Sequence, residues 1–120
     1  MKKITTLTVL TSLFLSTASY CATTIDSKDA LFHEGQDVIA CGVVKELTRF
    51  KRGFYLNMDD RFPKQSLTLI VWEDDIASFQ QKHGSLELLV NKEVCGKGTI
   101  TSYKGRSQIS LYNSYSLQVK

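Results

Sequence analysis

The stretch from Val94 to Leu111 constrains the fold more than any other part of this chain. It reads as two strands joined by a short basic turn, Tyr103-Lys104-Gly105-Arg106. Val94, Gly96, Gly98 and Ile100 share one face by alternation, and Cys95, Lys97 and Thr99 share the other. Glycines at successive inward positions suit a tightly curved strand that closes a barrel, because no Cβ obstructs the bend. The expectation is a small closed barrel with a basic, aromatic turn at its rim, which is a scaffold for binding.

The N-terminus points to export. Lys2 and Lys3 precede an apolar run from Ile4 to Leu15, and small residues follow at Ser16-Thr17-Ala18-Ser19. This is the layout of a secretory signal peptide, here taken as residues 1–22. The run is short for a bilayer span and no second one follows. Tyr20 before Cys21 argues against a lipidated cysteine. Cleavage after Ala18, Cys21 or Ala22 fits the pattern. The two later cuts leave an even pair of thiols, Cys41 and Cys95, free to bond in an oxidising periplasmic or extracellular compartment. Removing the leader also removes Lys2 and Lys3 from the formal charge of +3. What remains is close to neutral, so bulk basicity gives no argument for nucleic acid and only the distribution of charge can.

The rest is short enough for one domain, with no repeat and no Pro- or Gly-rich linker. Residues 23–35 hold a short helix, Asp26 to His33, capped by Asp26 or Ser27 and stopped by Gly35. From residue 36 to 120 the pattern is almost all β. The first strand runs from about Asp37 to Leu47, with Val38, Ala40, Gly42 and Val44 on one face. Arg49 to Gly53 reads as a turn. The second strand is Phe54–Met58 and the third Leu67–Trp72. Asp74 caps a short helix, Ile76–Lys82, and the opening hairpin supplies strands four and five. Tyr112–Val119 extends the fifth strand or forms an edge piece. Alternation assigns Val38, Val44, Leu56, Leu69, Val71, Val94 and Ile100 to the core. Three strands, a helix and two strands is the element order of the five-stranded OB-fold barrel.

Several segments also resemble a bacterial OB-fold family similar to the tRNA-anticodon-type nucleic-acid-binding domain. They are the strand leading through Val38 to Val44, Leu56-Asn57-Met58, Phe62-Pro63, Ile70-Val71-Trp72, and Gly98 to Ile109 with its Tyr-Lys-Gly turn. Ser107 stands where the family pattern has proline, and many relatives lack an export signal. The resemblance implies a nucleic-acid-binding barrel. In such a barrel the first and fourth strands are antiparallel neighbours. Cys41 and Cys95 both fall on the outward face, which points to a disulfide between them.

In OB domains the outer surface of strands two and three carries ligands, flanked by the loops between strands one and two and between strands four and five. Here that surface carries Tyr55, Asn57, Thr68, Ile70 and Trp72. The loops hold Arg49, Phe50, Lys51 and Arg52 on one side, and Tyr103, Lys104 and Arg106 on the other. Rings that stack bases, bordered by cations that meet phosphates, suit single-stranded nucleic acid. The candidate interface is therefore Arg49, Lys51, Arg52, Tyr55, Asn57, Trp72, Tyr103, Lys104 and Arg106. Asp59, Asp60, Glu73, Asp74 and Asp75 oppose a phosphate backbone if they border the same groove, so binding is expected to be weak and sequence-tolerant. An oligosaccharide or protein ligand is the alternative. With only His33 and His83 and no C-x-x-C pair, neither a metal site nor a cofactor is expected. No complete catalytic set is visible, which argues against a nuclease or any other enzyme. Nothing in the pattern specifies an oligomeric state.

Overall fold

Placing Gly96 and Gly98 inside the barrel lets a curved strand lie against two bulky neighbours. A Cβ on Gly96 would come within 2.8 Å of Leu69, and one on Gly98 within 2.6 Å of Ile109. The computed structural model describes residues 22–120. Its strands are β1 (Thr23–Asp26), β2 (Asp37–Phe50), β3 (Gly53–Met58), β4 (Leu67–Trp72), β5 (Glu93–Tyr103), β6 (Arg106–Leu111) and β7 (Leu117–Val119). Around the barrel the order is β2-β3-β4-β6-β5, and β5 returns to pair with β2. Only β4 and β6 run parallel within this ring. This is the OB-type arrangement, with helix α1 (Ile76–His83) between the third and fourth barrel strands. Residues 1–21, which hold the expected leader up to and including Cys21, lie outside the described residues. Among the described residues no helix is long and apolar enough to cross a membrane.

All seven core assignments from alternation are fully buried, joined by Met58, Leu67, Ile109 and Leu111 from the strands. Phe79 of α1 and Leu86 and Leu89 of the following 3-10 turn are buried in the same cluster. Gly84 ends α1 at φ 78°, a left-handed conformation that glycine adopts without steric cost. Asp74 does not cap this helix. A 3-10 turn, Glu73–Asp75, intervenes, and the capping position falls to Asp75 without a side-chain hydrogen bond.

The N-terminal segment departs from the sequence expectation in two ways. The helix is a 3-10 helix, Ser27–His33, though Asp26 caps it as expected by accepting from the Lys28 N–H at 2.9 Å. Ahead of it β1 runs parallel to β2. With Ile25 as its single apolar residue, β1 has no alternating pattern to betray it. At the other end β7 pairs with β5 as an edge strand instead of extending β6.

Cys41 and Cys95 are direct partners in the β2–β5 ladder and are disulfide-bonded, with Cα atoms 4.0 Å apart. A second clasp lies one residue along. Ser27 and Ser66 donate their hydroxyls to Asp59 Oδ2, and the Val43 N–H reaches Asp59 Oδ1 at 3.4 Å. Gly42 leaves room for it, since a Cβ there would overlap Ser27 Oγ. Asp59 is therefore a clasp between the N-terminal helix and the 59–66 loop, not an acid that faces a ligand.

The phase of β2 changes at Lys45. Val44 pairs with Met58, but Glu46 pairs with Asn57, so one residue is extra. Such a bulge sends the following side chains to the opposite faces. Leu47 and Arg49 then fall on the side of Leu56 and Phe54, and Glu46, Thr48 and Phe50 turn outward beside Tyr55 and Asn57.

Candidate nucleic-acid interface

Phe50 belongs to β2 and not to a loop, and its outward turn starts an aromatic row. Its ring stacks on Tyr55, with centroids 4.1 Å apart and planes 4° from parallel. On its other side it meets Trp72 edge to face at 6.0 Å. Gly53 lies between Phe50 and Trp72 in the ladders and has no side chain to separate them. A Cβ at Gly53 would overlap the Val71 carbonyl oxygen. Most aromatic pairs of this kind add about 1 kcal/mol beyond their burial, so the row is a stiff platform.

Beside the Tyr55 end a groove of about 430 Å³ opens between the 59–66 loop and the β5–β6 hairpin. Phe62 and Gln65 line one wall, Tyr103 and Arg106 the other, and Tyr55 and Thr68 part of the floor. Phe62 and Tyr103 are both more than half exposed. The Arg106 guanidinium lies 4.5 Å from the Phe62 ring centroid, so a cation–π contact spans the two walls. Lys104 Nζ lies 5.4 Å from the Tyr103 ring centroid, at the hairpin tip.

Under the groove a polar network locks the floor. Asn57 is buried; its NH2 donates to Glu46 Oε1 at 2.8 Å and its carbonyl oxygen accepts from the Thr68 hydroxyl at 2.9 Å. Glu46 Oε1 also accepts from the Phe62 N–H at 3.1 Å, and Arg61 Nε meets Oε2 at 3.2 Å. Asn57 thus serves the protein with both ends of its amide and is a positioning residue for the 59–66 loop. The Phe62 N–H above all, then the Asn57 amide, hold the Glu46 carboxyl below the usual range; burial opposes them, and Arg61 adds a smaller lowering effect. A lowered folded-state value means that this stabilisation is full above the unfolded value and fades as pH falls through the folded one. Glu46→Gln is expected to be less stable than wild type near neutrality by about 1 kcal/mol. The gap should narrow below about pH 4. Urea titrations across that range check it, and a gap that does not depend on pH would count against the network.

The remaining expected residues are divided. Tyr55, Tyr103 and Arg106 meet at the groove, with Lys104 at its edge. Trp72 joins them only through Phe50. Arg49 does not reach the groove: after the bulge it lies over the Phe54 ring at 4.9 Å and pairs with Glu73 at 3.4 Å. Lys51 and Arg52 form the exposed β2–β3 turn. Arg52 lines a separate depression with Trp72, Glu73, Asp74, Asp75 and Tyr112. Of the acids expected to repel phosphate, Glu73, Asp74 and Asp75 therefore gather around Arg52 and Trp72, away from Tyr55, whereas Asp59 is held in its clasp and Asp60 stays exposed in the 59–66 loop. Sequence reasoning missed Phe50 as a platform residue, Phe62 and Gln65 as a wall and Glu46 with Arg61 as its support. The proline after Phe62 was the available signal that this loop is shaped.

No family model matches the chain, and no curated protein matches it. Its fold is similar to solved OBody structures. OBody AM1L10 bound to hen egg-white lysozyme aligns with a TM-score of 0.59 at 20% identity, over 84% of this chain and 96% of that one. OBody AM3L15 bound to hen egg-white lysozyme aligns at 0.58 and 15% identity, over 82% and 94%. At such identities the likeness concerns the barrel alone.

Proposed function

We propose that this protein is an exported OB-fold binding module, and not an enzyme, that takes single-stranded nucleic acid weakly and with little sequence preference. The single observation that carries the reading is the groove itself, where Tyr55, Phe62 and Tyr103 offer ring faces next to Arg106 and Lys104. An unstacked base needs a ring to lie on and its phosphate needs a cation within reach. The acid inside this groove, Glu46, is already engaged by three partners. Export is supported by the leader-like N-terminus and by the disulfide. The near-neutral charge of the exported chain supports low affinity, because few phosphates find a cation.

Fluorescence anisotropy with labelled oligothymidine, at several salt concentrations, tests the proposal. Tyr103→Ala is expected to weaken binding about tenfold and leave the salt slope unchanged. Arg106→Gln is expected to weaken binding and flatten the slope by about 0.7. Arg52→Ala should change little, since its acidic neighbours already offset its charge. No binding by the wild-type protein at low salt and high concentration would sink the proposal.

A further inference from the structure

A second groove, of about 600 Å³, opens on another part of the barrel wall. It exists because β5 changes partners. Residues 100–103 of β5 pair with β6, and residues 94–96 pair with β7. Between these ladders Lys97, Gly98 and Thr99 have ladder partners only on the β2 side. The chain from Tyr112 to Ser116 crosses the gap and forms the outer lip.

We propose that this groove binds a neutral saccharide. Two tyrosines stand at the groove, Tyr112 at 73% exposed and Tyr115 at 77%. Rings left this open in a polar groove are suited to the apolar faces of a sugar ring. Lys82 Nζ lies 3.7 Å from the Tyr115 ring centroid and steadies it. Most of the remaining lining is hydroxyl and amide: Thr99, Thr101, Ser110, Ser116 and Asn113. Asn113 Oδ1 accepts from both the N–H and the hydroxyl of Ser116, at 3.0 and 3.2 Å. That contact orients the amide and keeps its NH2 as a donor. Asp37 accepts from the Thr99 hydroxyl through one oxygen at 2.6 Å and retains acceptor capacity on the other. A sugar's vicinal hydroxyls need donors and acceptors in this mixture.

Charge offers little to the competing ligand. The groove is lined by one cation, Lys97, and one anion, Asp37, and a further cation, Lys82, is held on the Tyr115 ring. A phosphate chain would gain little here, whereas an uncharged polyol loses nothing to the balance. The volume is within the range of ordinary small-molecule sites, about 300–1,000 Å³.

Amide NMR spectra of the disulfide-bonded protein, titrated with chitotriose and separately with maltotriose, test the site. At least one sugar is expected to shift the amides of residues 97–101 and 112–116 saturably, in the millimolar range, and equally at low and high salt. The double variant Tyr112→Ala/Tyr115→Ala should weaken that binding by about tenfold or more. Its amides elsewhere should stay in place, which shows that the barrel is intact. Absence of shifts with both sugars overturns the proposal. So does a salt-sensitive response of these same amides to oligothymidine. Failure of nucleic acid at the Tyr55 groove leaves this site untouched, since the two share no lining residue.

Discussion

Removing the Cys41–Cys95 bond is expected to lower the stability of the barrel by about 4 kcal/mol. The bond joins residues 54 apart in sequence, and the unfolded chain regains the freedom of that loop when it is cut. It also sits in the ladder that closes the barrel, between β2 and β5. A domain of this size typically has about 5–15 kcal/mol in all, so the loss is a large share of it. In melting temperature it corresponds to a drop of roughly 20 °C. Urea denaturation of a Cys41→Ala/Cys95→Ala variant beside the oxidised wild type measures it. A difference below about 1 kcal/mol would mean that the unfolded chain is already compact around this pair.

Gly42→Ala is expected to cost about 3 kcal/mol, well above an ordinary surface change. The added Cβ would overlap the Ser27 hydroxyl and approach Asp59 Oδ1 to 2.9 Å. Ser27 is fully buried, so it has no solvent to retreat into. Either the N-terminal 3-10 helix lifts away from β2, or the Ser27 and Ser66 hydrogen bonds to Asp59 break. Both routes combine overpacking with a lost buried hydrogen bond. Thermal melts compare the variant with Ser27→Ala, which removes the hydroxyl but adds no bulk. Gly42→Ala should be the more damaging of the two, and equal melts would place the cost in the hydrogen bond alone.

The two glycines of β5 were the clearest message in the sequence. Their small size against Leu69 and Ile109 is a local requirement of a curved wall, so it can be read from one strand. The core was legible for the same reason, since alternation across Val38, Leu56, Leu69, Val94 and Ile100 needs no knowledge of neighbours. The Cys41–Cys95 pairing followed once the strand order was known, because both residues occupy outward positions on adjacent strands.

The candidate interface was less legible, and the reason is the bulge at Lys45. From the pattern alone the first strand ends at Leu47 and Arg49 and Phe50 fall in a turn, whereas β2 runs on to Phe50. Plain alternation carried past Val44 would set Phe50 inward and Arg49 outward. The extra residue reverses both, putting Phe50 on Tyr55 and Arg49 on Phe54. No side-chain pattern announces such a shift, since it is settled by how β2 must coil to meet β3 after leaving β5. The partners of Asn57 were hidden for a related reason. Its type suits ligand contact, but Glu46 and Thr68 reach it only once three strands are assembled. The sequence by itself determined the barrel, its curvature and its inward residues, because these depend on size and polarity repeated along single strands. Only the tertiary structure decided which cations meet which rings and where the acids gather. Those outcomes depend on strand register and on loops folding over a sheet, which join residues far apart in the chain.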